Sequence, residues 1–302
     1  MGFFGDSLWV MDGDAYRVSY FDLDGAFLGS VTPRVVLGSV DGGSVPPPRP
    51  QRPLRDGTLL GESPAFSHLI ATGEVTGTPV VHTDAAGATL ARVWMRPQRT
   101  TYVLALLNED GPGGSFGRQP FGDRPLSSMT ENGYLVVDRH AHEGEGPGIL
   151  RLTLIGLAGD TLIDHATRYE TERLPSSVVD SVADARGAGM HSFMSRRDPG
   201  LALGAVQARV RGAMYAPSFL PPVDEMVIAH DGDIWLRRSS LGVEDREWWI
   251  FDSALELAGR VVTPAGLAVR TIVGEDLWGV LTDELGVSYI VRYQLRESPN
   301  GA

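Results

Sequence analysis

The stretches "DSLWVMDGDAYRVSYFDLDGAFLGSVTP" (residues 6–33) and "DGDIWLRRSSLGVEDREWWIFDSALELAGRVVTP" (residues 231–264) repeat one pattern. An acidic turn is followed by a Trp-bearing strand, a second strand ending in Phe-Asp, and a third ending in Val-x-Thr-Pro. Such a repeat constrains the fold more than any single element, because each copy is one supersecondary unit that buries its apolar face by stacking on the next. In the first copy "LWV" and "YRVSYF" read as strands, and the "DLDG" turn has a Gly suited to positive φ, so "AFLGSV" returns antiparallel. Each unit is therefore a β-meander. A third copy starts at Gly274 ("GEDLWGVLTDELGVSYIVRYQL"), and fainter ones start at Asp56 and Glu131. Five units cover the chain, residues 1–302, as one domain. In the Asp231 copy "DSALEL" lacks the Gly, which predicts a looser hairpin.

Uneven spacing between the copies implies insertions. "VPPPRPQRP" (residues 45–53) reads as a polyproline-like crossing between strands. The glycine-rich runs "DGPGGSFG" and "EGEGPG" read as flexible turns. Residues 176–213 differ in kind: "SSVVDSVADAR" and "LALGAVQARVRGAM" place apolar residues at helical spacing, with Ser176 or Ser177 as the expected N-cap. The first unit shows three strands and the final unit lacks its outermost strand, so both are expected to be incomplete.

The repeated acidic turn, "LWV" or "IWL", "FD" strand end and "V-x-Thr-Pro" resemble the bacterial six-bladed β-propeller proteins of the NHL and TolB-like group. The resemblance implies an all-β propeller of six-bladed type with about five visible four-stranded units, apparently lacking its N-terminal blade, plus the helical insertion at 176–213. Blades packed face to face would bury the recurring Trp9, Trp235 and Trp278 between them. Trp248 and Trp249, adjacent on one strand, must point to opposite faces, so one can face solvent.

Composition excludes several chemistries. All 26 basic residues are Arg, so no Schiff base, catalytic amine or P-loop lysine exists, and with no Cys there is no thiol nucleophile or thiolate metal site. A net charge of -12 opposes a nucleic-acid backbone. No apolar stretch is long enough to span a bilayer as a helix, and the N-terminal residues have no signal-peptide pattern. An extracytoplasmic location would follow if a longer parent carried an export signal; otherwise a cytoplasmic one is expected.

The densest chemical cluster is "DRHAHEGE", residues 138–145. On an extended segment His140 and His142 face one side, and Glu143 or Asp138 completes a candidate divalent-cation site for Zn or Ca. Arg237 and Arg238 point to opposite faces, so one could bind a carboxylate or phosphate ligand. The pairs Asp12/Asp14 and Asp231/Asp233 offer too few oxygens for a calcium loop and read as turn chemistry. The expected function is a non-enzymatic ligand- or protein-binding module with no obligatory cofactor. Self-association through open blade edges is also expected. The alternative is a metal-dependent, lactonase- or esterase-like hydrolase with its cation in the central channel.

Overall fold

The computed structural model describes residues 2–4, 7–32, 38–40, 43–45, 49–62, 77–97, 99–107, 114–144, 146–196, 200–242 and 245–296. The fold is all-β, of the propeller class, with two helices. The first sheet runs in chain order through β1 (Gly2–Phe4), β2 (Ser7–Asp12), β3 (Arg17–Asp22) and β4 (Phe27–Val31). A short ribbon follows, β5 (Gly38–Val40) with β6 (Gly43–Val45). The second sheet comprises β7 (Arg49–Pro53), β8 (Leu59–Glu62), β9 (Gly77–Thr83) and β10 (Thr89–Pro97). A second ribbon pairs β11 (Val103–Leu107) with β12 (Gly114–Arg118). The third sheet is β13 (Leu126–Met129), β14 (Gly133–Asp138), β15 (Gly148–Gly156) and β16 (Thr161–Tyr169). Helices α1 (Ser176–Met194) and α2 (Leu203–Ala213) come next. The fourth sheet holds β17 (Val223–Ile228), β18 (Ile234–Arg238), β19 (Asp245–Phe251) and β20 (Leu257–Pro264). The last holds β21 (Leu267–Val273), β22 (Asp276–Thr282) and β23 (Ser288–Gln294).

These five sheets are the five units of the sequence repeat, and the helices fall within 176–213 as the 3.6-residue period predicts. The last sheet has three strands among the described residues, as expected, but the first has four. Three residues suffice to form its edge strand, Phe3 pairing with Leu8. Of the proline-rich stretch, residues 46–48 lie outside the described residues. Arg49–Pro53 is the edge strand β7 rather than a crossing. Proline is tolerated at an edge, where its missing N–H removes no ladder bond. Of "DGPGGSFG", residues 110–113 lie outside the described residues, and 114–117 belong to strand β12 rather than to a flexible turn.

The hairpin turns share one construction. Gly25, Gly87 and Gly286, at φ 84, 92 and 79, each donate to the carbonyl of the Asp three residues earlier. The "DSALEL" turn is not looser: Leu255 donates to Asp252 O at 3.0 Å with φ 64, in the glycine's place. Asp252 Oδ1 accepts from the N–H groups of Ala254 and Glu256, which holds the turn in shape without the glycine. Helix α1 is capped by the backbone of Pro175, whose carbonyl accepts from Val178, so Ser176 lies inside the first turn.

The chain forms two compact units. The first comprises Met1–Arg99, Ser127–Val136 and Thr153–Asp164; the second comprises Thr100–Leu126, Val137–Leu152 and His165–Ala302. In the first unit, Trp9 and Val18 pack with Leu59 of the second sheet, while Leu60, Val80 and Val93 pack with Met129, Tyr134 and Ile155. In the second unit, Trp235 and Trp248 of the fourth sheet pack with Leu267, Val269 and Leu277 of the last. The helices have their own core, in which Ala183, Val206 and Val210 meet Leu104, Phe121 and Leu220. The helical insertion leaves and returns through one backbone clasp, Leu220 N to Glu172 O at 2.8 Å and Leu174 N to Ser218 O at 3.1 Å.

Trp9 and Trp235 are buried between sheets as expected, whereas Trp278 is 38% exposed. It lies on the face of β22 opposite Leu277, and among the described residues of its own unit no further sheet covers that face. Trp248 and Trp249 do face opposite sides, but both are buried. Trp248 Nε1 donates to Thr263 Oγ1, and Trp249 lies against Tyr169.

Candidate functional site

In a four-stranded meander, the chain approaches the first strand, joins the second to the third, and leaves the fourth at the same end of the sheet. Within the second unit that end carries residues 119–125, 139–144 and 146–147, the helical insertion and residues 239–242. These segments are tied together. Gln119 donates to Ala213 O and accepts from Tyr215 N, and Leu241 N donates to Glu172 Oε1.

At this end a buried polar cluster forms. Arg139, immediately after β14, is buried; its Nη2 donates to Gly122 O and its Nη1 to Asp224 O. Burial pushes its guanidinium down to about 10, and the nearby Arg118 charge acts in the same direction, against Asp224 and Asp123. Asp123 is enclosed, its side chain 1% exposed. Its Oδ2 accepts from His140 Nδ1, and its Oδ1 is buried with no hydrogen-bond partner among the described residues. The backbone N–H of His140 donates to Asp138 Oδ1 at 3.1 Å, which fixes the start of the loop. A carboxylate only accepts, so Nδ1 is the donor of this pair, and Nε2 is the ring nitrogen turned toward Glu143. That Nε2 stands 3.8 Å from Glu143 Oε1.

Of the residues singled out in the sequence, His140 and Glu143 are thus brought together, while His142 is turned elsewhere. Its ring lies 5.7 Å from that of Phe219, and its Nε2 is buried. Strand alternation does not apply here because residues 139–144 and 146–147 are loop, with Gly144 and Gly146 at φ 139 and 103. Among the described residues no group of three or more His, Asp or Glu side chains is placed to hold a metal ion. Asp123 carries no sequence signal: it enters the cluster through a tertiary contact between two loops.

Arg237 and Arg238 point to opposite faces, and both are engaged. Arg237 Nε pairs with Asp224 Oδ1 at 2.7 Å, and its guanidinium lies over Trp248. Burial acts to lower the Arg237 pKa, but the hydrogen bond and charge of Asp224, with Glu225, outweigh it and raise it. Arg238 pairs with Glu247 Oε2 at 3.1 Å. Asp12 accepts from the N–H groups of Asp14 and Ala15, and Asp231 accepts from Asp233, which is turn chemistry.

No family model and no curated protein matches the chain. Among solved structures, a eukaryotic initiation factor aligns over 96% of this chain at 7% identity and a TM-score of 0.29. BamB from Moraxella catarrhalis aligns over 96% of the chain at 13% identity and a TM-score of 0.26, covering 70% of its own length. The chain spans 63% of the length of the initiation-factor chain, and at these scores neither likeness bears on function.

Proposed function

We propose that this chain is a non-enzymatic binding module of the six-bladed NHL and TolB-like kind, and that it binds protein, in the simplest case a second copy of itself. One observation carries the reading: the two faces of the last sheet differ in what covers them. Leu267, Val269, Ile272 and Leu277 are buried against the fourth sheet, whereas the opposite face exposes Val273, Trp278 and Ile290. Arg292 lies over the Trp278 ring at 5.7 Å and pairs with Asp276 at its rim. An exposed apolar stripe centred on Trp and Arg has the composition of a protein-binding hot spot. Within the same chain, such faces are covered by the face of another sheet.

Sedimentation of the purified chain tests this. The weight-average mass is expected to rise above that of the monomer as concentration increases, and Ile290→Glu is expected to abolish the rise. Ile290 is 81% exposed, so the substitution should leave folding nearly untouched. A wild-type chain that stays monomeric at high concentration overturns self-association.

A further inference from the structure

We propose that His140 Nε2 and Glu143 form a surface site for a divalent transition-metal cation of the zinc class, with Asp123 as its positioning residue. The site goes beyond the protein-binding reading and does not depend on it. Three features carry it. First, the Asp123 carboxylate fixes the imidazole by accepting from Nδ1, the arrangement by which a carboxylate behind a metal-binding histidine orients the ring. Second, His140 is 45% and Glu143 77% exposed, so a cation can reach both from solvent. Third, their spacing is near what a shared cation needs. Two ligands about 2.0–2.1 Å from a tetrahedral zinc lie roughly 3.3 Å apart. The observed 3.8 Å closes with a small swing of the exposed Glu143.

An imidazole donor favours zinc, nickel or copper over calcium or magnesium, which take oxygen. Water completes the coordination, since His142 is packed against Phe219. The chain has no Cys and seven His, so the background of competing strong donors is low.

Calorimetric titration of the intact chain with zinc chloride in a non-chelating buffer tests the site. One zinc per chain is expected, weakened roughly 100-fold by His140→Gln and roughly 10–100-fold by Asp123→Asn, the range seen when a ligand's supporting carboxylate is lost. Because Asp123 is buried and its variant can fail to fold, the exposed Glu143→Gln, which removes a direct ligand, provides a second arm, expected to weaken binding by at least the roughly tenfold seen when a supporting group is lost. Zinc should also shift the Nε2 resonance of His140 in the wild type, which a merely structural histidine would not show. His142→Gln should bind zinc as the wild type does. Absence of zinc binding by the wild type, unchanged affinity in His140→Gln, or dependence on His142 instead overturns the proposal.

Discussion

Leu255 carries a strain cost and a burial gain on one residue. It holds φ 64 in a turn whose counterparts use Gly25, Gly87 and Gly286, and its side chain is fully enclosed at 2% exposure. A left-handed backbone costs a non-glycine residue about 1–2 kcal/mol, and burying a leucine contributes about 1.5–3 kcal/mol, so burial wins. Leu255→Ala keeps the strain and loses the packing, and is expected to cost about 2–5 kcal/mol. Leu255→Gly loses the packing but relaxes the backbone, so it should be the more stable of the two by about 1 kcal/mol. Urea midpoints would show it, and an alanine variant more stable than the glycine one would contradict the left-handed geometry. The repeat located this turn, but nothing in "DSALEL" indicates that a leucine adopts a glycine's conformation. That outcome depends on the burial of its side chain, which only the folded chain provides. His142 is a parallel case: its spacing from His140 was legible, but the glycines after it break the strand alternation on which the pairing depends.

Helices α1 and α2 show how much an element's pattern leaves open. Their extent was readable from the 3.6-residue period, but the roles of Gly187 and Gly189 were not, because both sit in one "RGAG" run. The structure separates them. A Cβ on Gly187 would come within 2.8 Å of the Gln207 backbone on α2, whereas one on Gly189 would meet nothing within 4 Å. Gly187→Ala therefore forces the helices apart, with an expected loss of about 1–3 kcal/mol. Gly189→Ala gains helix propensity and should stabilise by about 0.5–1 kcal/mol. Thermal melts of the two variants should move in opposite directions; movement in the same direction would refute the packing of α1 on α2. Arg211 of α2 bridges to Asp180 and Asp184 of α1 at 3.0 Å each.

Across the whole molecule the recurring turns tie stability to pH. Asp12, Asp56 and Asp283 all lie below the ordinary 3.8: Asp12 chiefly through the Ala15 N–H, Asp56 through the Thr58 hydroxyl and then its N–H, and Asp283 chiefly through the Val287 N–H. A carboxylate whose pKa is depressed by folding contributes fully above its unfolded value, and the contribution fades as pH falls through the folded value. Asp233, raised by burial and by Asp231 and Asp252, has the opposite sign and offsets part of this. The urea midpoint is therefore expected to hold from neutral pH down to about 5 and to fall below about 4, with a shallower fall in Asp56→Asn. A midpoint unchanged at pH 3 would contradict it. The five sheets were legible because one local pattern recurs along the sequence, and the helical region because its 3.6-residue period is local; Asp123 was not, because its partner lies on another loop. The backbone clasp at Glu172–Leu220 has a different consequence. The two chain ends flanking the helical insertion are already held together, so the sheets are insulated from the length of what lies between. Lengthening that segment costs only the slow logarithmic growth of loop-closure entropy. A replacement needs only an apolar face to cover Leu104 and Phe121, which makes this the position where the scaffold can exchange one appendage for another without re-registering a strand.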